Sequence, residues 1–272
     1  VVVGYGTQQK KAFTGSAAKV DAKQFANLVT PSVDRQLSGR AAGVQVATPG
    51  GLVNTPARIR VRGINSISGN LSPLIVVDGV PFINGNLAGT TNSNALGDIN
   101  PNDIETFTVL KDASATAIYG SRASNGAILI TTKKGASGKP FTVNYSGNVS
   151  ISSPIKYVDV FTAAEFREII QTKYPTFVDT LGTASIDWQQ EIYRTAVSHD
   201  HNLNFSGGLG KLPYRVSFGY TDQNGILKTD KMERYTGAVN LNPSLFEDHL
   251  RIELNAKGMV NDNFFATTAA IG

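Results

Sequence analysis

The stretch FTVNYSGNVSI, residues 141–151, alternates apolar and polar side chains over its whole length. Phe141, Val143 and Tyr145 occupy every second position, with threonine, asparagine and serine between them. Because successive side chains of a β-strand point to opposite faces, this pattern predicts a strand with one apolar and one solvated face.

Four later stretches repeat the pattern. They are HNLNFSGGL (201–209), YRVSFGYTD (214–222), RYTGAVNLN (234–242) and LRIELNAKGMV (250–260). The polar positions carry mostly Asn, Ser, Thr and Arg, which suit a water-filled lumen, and the apolar positions include Tyr and Phe, which suit the aromatic girdle of a membrane barrel. A soluble β-sandwich would show the same alternation, so both interpretations follow from the pattern alone.

The connections between these strands differ in length. Asn224-Gly225 predicts a tight turn between the third and fourth strands, and a link from Pro243 to Leu250 at its widest joins the fourth to the fifth. Between the first and second strands, Thr162 and Glu165 have the spacing of a capping box, and a second helix is predicted over residues 187–195.

An earlier part of the chain has the features of a compact α/β unit. Its predicted strands are ARIRVRG (57–63), LIVVDGVP (74–81), IETFTVLKD (104–112) and GAILITTKKG (126–135), and DASATAIYG (112–120) is predicted to be a short helix. The unit is predicted to span residues 17–136, after a glycine-rich tether over residues 1–16.

Composition excludes some classes of site. The 272 residues contain no cysteine, which rules out disulfides, zinc–thiolate sites and cysteine nucleophiles. The net charge is +4, with nine Lys and Arg against two acidic residues in positions 1–62. No apolar run reaches the roughly 18 residues of a spanning helix, and the start at Val1 indicates a processed or excised chain.

Few residues suggest catalysis. Ser198, His199, Asp200 and His201 are adjacent, but neighbouring residues rarely converge as a hydrolase triad does. His199 and His201 would share one face of a strand, and the remaining histidine, His249, lies in a distant strand, so a metal site is disfavoured. The sequence therefore predicts neither an enzyme nor a cofactor.

Several stretches together resemble the SusC/RagA-type TonB-linked outer-membrane transporters. They are VVVGYGTQQKK at the start, LSGRAAGVQV (37–46), RIRVRG with SPLIVVDGVP, and INPNDIETFTVLKDASATAIYGSRASNGAILITTKKG (99–135). The resemblance implies an α+β plug domain over residues 17–136, followed over residues 137–272 by the first antiparallel strands of a transmembrane β-barrel, with a helical insertion at about 158–196.

The resemblance also implies roles for two groups of residues. The start of the chain resembles the TonB box, whose β-branched residues suit pairing with an edge strand of TonB. This implies TonB binding by Val1, Val2, Val3, Gly4, Tyr5 and Gly6. The alternating arginines Arg58, Arg60 and Arg62 are implied to form a polar plug face turned to the barrel wall, and nucleic-acid binding is disfavoured because no aromatic residues accompany them.

The function implied is active import of a large nutrient, a glycan or a peptide, across a bacterial outer membrane. The implied partners are TonB with its proton-motive-force motor, a SusD-like surface lipoprotein and outer-membrane lipid, and the plug and amino terminus would face the periplasm. Only about five strands are predicted, so the barrel is incomplete in this chain, which we expect to be part of a larger one. A soluble or surface β-rich binding module is the alternative.

Overall fold

The structure is a computed structural model of the chain. It describes residues 2–3, 6–7, 17–21, 32–48, 50–63, 71–82, 96–97, 99–112, 116–247 and 249–265. The helices are α1 (Val33–Gln36), α2 (Ala163–Lys173) and α3 (Trp188–Ile192). The strands are β1 (Val2–Val3), β2 (Gly6–Thr7), β3 (Ala17–Asp21), β4 (Val44–Ala47), β5 (Arg58–Val61), β6 (Leu74–Val77), β7 (Val80–Phe82), β8 (Ile104–Leu110), β9 (Ala127–Thr132), β10 (Thr142–Ser152), β11 (Ala196–Leu209), β12 (Leu212–Asn224), β13 (Lys231–Leu241), β14 (Ser244–Leu245), β15 (Leu250–Arg251) and β16 (Leu254–Phe264).

The compact unit is built on a five-stranded mixed sheet. Its strand order is β3-β8-β9-β6-β7, in which β6 and β9 run parallel and the other neighbours antiparallel. The interior strands β8 and β9 read as near-continuous apolar runs because both of their faces are covered, and Phe107, Ile104 and Ile128 have no exposed surface. The β4–β5 hairpin packs on this core through Val44, Ile59 and Val61.

The second body is a long antiparallel sheet of five strands. They lie in the order β10-β11-β12-β13-β16, so each strand neighbours the next long strand along the chain. Two residues, Gly210 and Lys211, join β11 to β12, and Gly210 adopts a φ of 58° that glycine tolerates without strain. We call this five-stranded body the long sheet.

Two predicted features of the long sheet differ from the structure. Asn224-Gly225 does not form a two-residue turn, because β12 ends at Asn224 and the connection runs through residues 225–230. The fifth strand begins at Leu254 rather than Leu250, since residues 250–251 instead pair with β14 in a small hairpin. The predicted helix at 112–120 is described only in part, because residues 113–115 lie outside the described residues. The Thr116 N–H donates to the Asp112 carbonyl as in a helical turn, and a 3-10 segment over Ala117–Ala123 follows, kinked where Gly120 adopts a φ of 63°.

The insertion between β10 and β11 contains the two expected helices. Thr162 caps α2 through its hydroxyl, and the side chain of Glu165 accepts the Thr162 backbone N–H, which completes the predicted capping box. The second helix, α3, is shorter than predicted: Asp187 caps it and it ends at Ile192. No helix in the described part of the chain is long and apolar enough to cross a membrane.

Candidate functional site

The two faces of the long sheet have opposite environments. On the apolar face, large side chains are left in the open: Phe218 is 54% exposed, Val260 60% and Ile151 72%. On the polar face, Arg215, Ser217 and other polar residues of β11–β13 are at most 7% exposed, because the compact unit covers them. This is the reverse of a water-soluble sheet, which buries its apolar face.

Asp103 forms a buried ion pair with the long sheet. It lies in the 3-10 turn Pro101–Asp103, and its Oδ1 accepts a hydrogen bond from Arg215 Nη2 at 2.9 Å. Its Oδ2 accepts from Ser217 Oγ at 2.9 Å, two residues along the same strand and so on the same face. The Nη1 atom of the same guanidinium donates to Asn204 Oδ1 at 3.1 Å.

Asn100 makes a second buried contact with the long sheet. Its Oδ1 accepts the backbone N–H of Asn102 and so caps the 3-10 turn. Its Nδ2 lies 2.5 Å from Asn202 Oδ1 on β11 and 3.3 Å from Thr236 Oγ1 on β13, above Gly219 on the strand between them. The amide of one residue thus spans three strands.

A third contact joins the β6–β7 hairpin of the compact unit to β16, the last described strand. Asp78, in the turn between β6 and β7, accepts hydrogen bonds from the Thr132 backbone N–H at 2.8 Å and from the Thr132 hydroxyl at 2.7 Å. Lys257 Nζ on β16 lies 2.5 Å from Asp78 Oδ2. Burial alone would raise the pKa of Asp78, but the hydrogen bonds from Lys257 and Thr132 outweigh it and hold that pKa below its ordinary value.

The loop between β4 and β5 reaches the opposite end of the long sheet. Asp230, in the connection between β12 and β13, accepts the backbone N–H of Val53 at 2.7 Å through its Oδ2. Asn54 Nδ2 donates to Asn263 Oδ1 on β16 at 3.0 Å. Burial raises the pKa of Asp230, against the opposing effects of the Val53 N–H and Arg194.

These contacts place a compact domain against the polar side of strands whose other side is apolar and exposed. This is the arrangement of an occluding domain and a barrel wall. The sequence matches the family model "TonB-dependent Receptor Plug Domain" over residues 9–127. It is 49% identical to the TonB-dependent receptor SusC of Bacteroides thetaiotaomicron over 100% of this chain and 27% of that protein. It is 38% identical to the TonB-dependent receptor P3 of Formosa agariphila over 95% of this chain and 24% of that protein.

A solved structure of the RagAB peptide importer in its open-open state superposes with a TM-score of 0.78 at 28% identity, covering 97% of this chain and 32% of that one. The chain belongs to the SusC/RagA-type TonB-dependent receptors. It spans about a quarter of the length of the curated relatives it matches. The compact unit is the plug of this family, and the long sheet consists of antiparallel strands of its barrel, so the predicted fold class is confirmed.

At most of the described plug–wall ion pairs, the acidic residue belongs to the plug and the basic residue to the long sheet. Arg215 and Lys257 of the long sheet meet the plug acids Asp103 and Asp78, and one pair, plug Lys134 with Glu253, has the opposite sense. Arg215 stood on the polar side of its predicted strand, which was the one signal in the sequence for this contact. Nothing in the local sequence marked Asp103 or Asn100.

The three plug arginines do not share one strand face. Arg58 is exposed and Arg60 is half-buried on β5, while Arg62 lies beyond the end of the strand with a left-handed φ of 60°. There Arg62 forms an ion pair with Asp112 of the plug itself. A barrel-facing role for Arg58, Arg60 and Arg62 stays a prediction.

The predicted TonB box is described only in part. Val2–Val3 pairs with Gly6–Thr7 as a two-residue antiparallel ladder, with Val2 opposite Thr7 and Val3 opposite Gly6. Val1, Gly4 and Tyr5 lie outside the described residues. TonB binding by this segment stays a prediction.

The Ser-His-Asp-His run of β11 does not assemble into one site. His199 and His201 lie on the apolar face, where His201 Nδ1 is 2.6 Å from Tyr145 Oη and the His199 ring packs at 5.6 Å from Tyr220. Asp200 points to the opposite face and accepts hydrogen bonds from Asn202 and Thr221. Alternation along the strand therefore separates the residues that a triad would need together.

Proposed function

We propose that this chain forms the plug and part of the barrel wall of a receptor that imports a large nutrient across the bacterial outer membrane and breaks no bond in it. The observation that supports this most directly is the pairing of an exposed apolar face with a polar face that the plug covers. Apolar side chains on one face of antiparallel strands are stable against lipid, and polar ones suit a lumen.

The energy for import would come through TonB, bound by strand addition to residues 1–6. A strand has two hydrogen-bonding edges, and the pairing of Val2–Val3 with Gly6–Thr7 uses one of them. We propose that the plug and amino terminus face the periplasm. The two-residue connection between β11 and β12, at the end of the long sheet where β10 begins, and the helical insertion at the other end support this orientation.

The proposed cargo is a glycan or a peptide, and the proposed extracellular partner is a SusD-like surface lipoprotein. The named relatives motivate both cargo classes, since one is SusC and another is a peptide importer, RagAB. The alternative, a soluble β-rich binding module, would require the exposed apolar face to pack into a core of its own, and in the described residues that face stays open.

The coupling role can be tested in the full-length receptor with proline. The double variant Val2→Pro, Val3→Pro removes two adjacent backbone N–H groups, one on each edge of the strand, so the edge that a TonB strand would use loses a donor. Val2→Thr, Val3→Thr keeps both N–H groups and keeps the β-branched shape. We expect the proline variant to abolish nutrient uptake without weakening nutrient binding to whole cells, and the threonine variant to behave as the parent does. Equal uptake by the two variants would refute the coupling role.

A further inference from the structure

The strongest plug–wall attachment is concentrated in residues 100–103, NPND, which we call the anchor segment. Asn100 and Asp103 are only 6% and 8% exposed. Through these two side chains the anchor segment forms hydrogen bonds with residues on three adjacent strands, β11, β12 and β13. The Pro101–Asp103 turn holds the two side chains on the same side, facing the wall.

The wall is shaped to receive this segment. A side chain at Gly219 would bring its Cβ to 2.5 Å from Asn100 Nδ2 and 2.9 Å from Asn202 Oδ1, and against Thr236 Oγ1 as well. Only a glycine at this position leaves room for the Asn100 amide to lie between β11 and β13. The next glycine in the wall, Gly237 on β13, has no atom within 4 Å of such a Cβ, so small size is not needed there.

The anchor segment is tied to the exit of the plug. The Lys133 backbone N–H donates to Asp103 O at 2.8 Å, and its Nζ donates to Asn102 O at 2.8 Å. Two residues further on, Gly135 lies so close to the backbone of Tyr214 on β12 that a Cβ could not be accommodated. Strand β8 follows the anchor segment and strand β9 precedes Lys133, so these two neighbouring interior strands of the plug sheet are held at one end by the wall.

Outside the anchor segment, each plug segment makes fewer contacts with the wall. One of them lies just before the anchor segment, where the Gly97 carbonyl accepts a hydrogen bond from the buried guanidinium of Arg234 on β13. Val53 and Asn54, which both belong to the loop between β4 and β5, each donate one hydrogen bond to the wall. Asp78 contacts Lys257, whose side chain is 33% exposed and therefore partly screened by water. The plug is thus firmly attached at residues 100–103 and more weakly at its β6–β7 turn and at the loop containing Val53.

We propose that the anchor segment stays seated on β11–β13 while the plug opens, and that the loop of residues 50–55 and the β6–β7 turn are the parts that leave the wall. This inference rests on the proposed transport function. It assigns residues 100–103 as positioning residues, which hold the plug in the lumen and fix the point about which it rearranges.

Two cross-links in the full-length receptor would test the proposal, since these 272 residues contain no cysteine of their own. Asn102→Cys with Asp200→Cys joins the anchor segment to the wall, where the two side chains are 3.5 Å apart. Asn54→Cys with Asn263→Cys joins the loop to the wall across a contact of 3.0 Å. A short bifunctional thiol reagent then forms the cross-link in each double-cysteine variant. The same variant without the reagent serves as its control.

We expect cross-linking at 102–200 to leave nutrient uptake unchanged and cross-linking at 54–263 to lower it to the level of the proline variant at Val2 and Val3. Loss of uptake with both cross-links, or with neither, would overturn the proposal. If the receptor takes up no nutrient even without a cross-link, the proposed transport function fails. The role of the anchor segment in holding the plug is then decided by a separate protease experiment, described next.

The second test needs no transport. Gly219→Ala should displace Asn100 and, by removing its two hydrogen bonds, raise the rate at which protease cleaves the plug of the purified receptor about tenfold. Gly237→Ala is the matched control and should leave the rate unchanged, because a Cβ there meets nothing. Asn100→Ala, which removes the same bonds without filling space, should reproduce the effect of Gly219→Ala. Equal cleavage rates for all of them would refute the role of the anchor segment.

Discussion

Replacing Arg215 by methionine should loosen the plug more than any exposed substitution on the long sheet. The Arg215 and Asp103 side chains are 8% and 11% exposed, and Nη2 and Oδ1 are 2.9 Å apart. Methionine keeps much of the side-chain length but removes the charge, so the Asp103 carboxylate would remain in a dry site with only the Ser217 hydroxyl as a side-chain donor from the wall.

The cost follows from leaving one charge buried without its partner, which is typically about 3–5 kcal/mol. Ser217 and the nearby Lys133 offset part of it, so we expect a value near the lower end of that range. The double variant Asp103→Asn, Arg215→Met contains no buried charge at this contact and should recover about 2 kcal/mol of the loss, because a neutral amide costs less to bury than a carboxylate.

Hydrogen exchange of the β8 amides in the detergent-solubilised full-length receptor would measure this local stability. Arg251→Met is the matched control, since Arg251 is exposed in the β14–β15 hairpin, and it should change stability by no more than about 0.5 kcal/mol. The reasoning would be wrong if Arg215→Met matched this control, or if the double variant were as unstable as the sum of its two single variants.

Three further predictions concern pH, a helix cap and the lipid-facing side. Asp78 has a pKa depressed below its ordinary value, so its stabilising contribution should be complete above about pH 4 and disappear as the pH falls through the lower folded-state pKa. Protease cleavage of the plug near pH 3 should accordingly depend on pH less steeply in Asp78→Asn, and an unchanged slope would contradict the assignment. Thr162→Ala should destabilise the first turn of α2 by about 1 kcal/mol, seen as faster amide exchange there but not in α3. Phe218→Arg on the apolar face should destabilise the membrane-inserted receptor by about 2–4 kcal/mol, measured by folding into vesicles, whereas Met259→Arg on the opposite face of β16 should cost far less.

Elements whose pattern depends only on neighbouring residues could be predicted from the sequence. The alternation in FTVNYSGNVSI needs only its own residues to predict β10, and Thr162 with Glu165 predicts the start of α2, because a strand's two faces and a capping box are properties of neighbouring residues. The wrong turn at Asn224-Gly225 has a tertiary cause. The buried carboxylate of Asp230 holds the Val53 N–H of the plug, and its backbone carbonyl accepts the Gly225 N–H, so the six-residue connection is kept by contacts that a turn dipeptide does not encode.

The plug–wall contacts could not be predicted for a related reason. Asn202, Gly219 and Thr236 form the place that receives Asn100 only because β11, β12 and β13 are paired in a register that sets these residues directly opposite one another. A shift of one residue in either pairing would turn the adjacent apolar side chain to the lumen and leave the Asn100 amide without a partner there. The sequence indicates which residues of each strand face inward, since that depends on alternation alone. Which inward residues stand side by side depends on the pairing of three strands and on the plug that covers them, so the anchor segment becomes visible only in the folded chain.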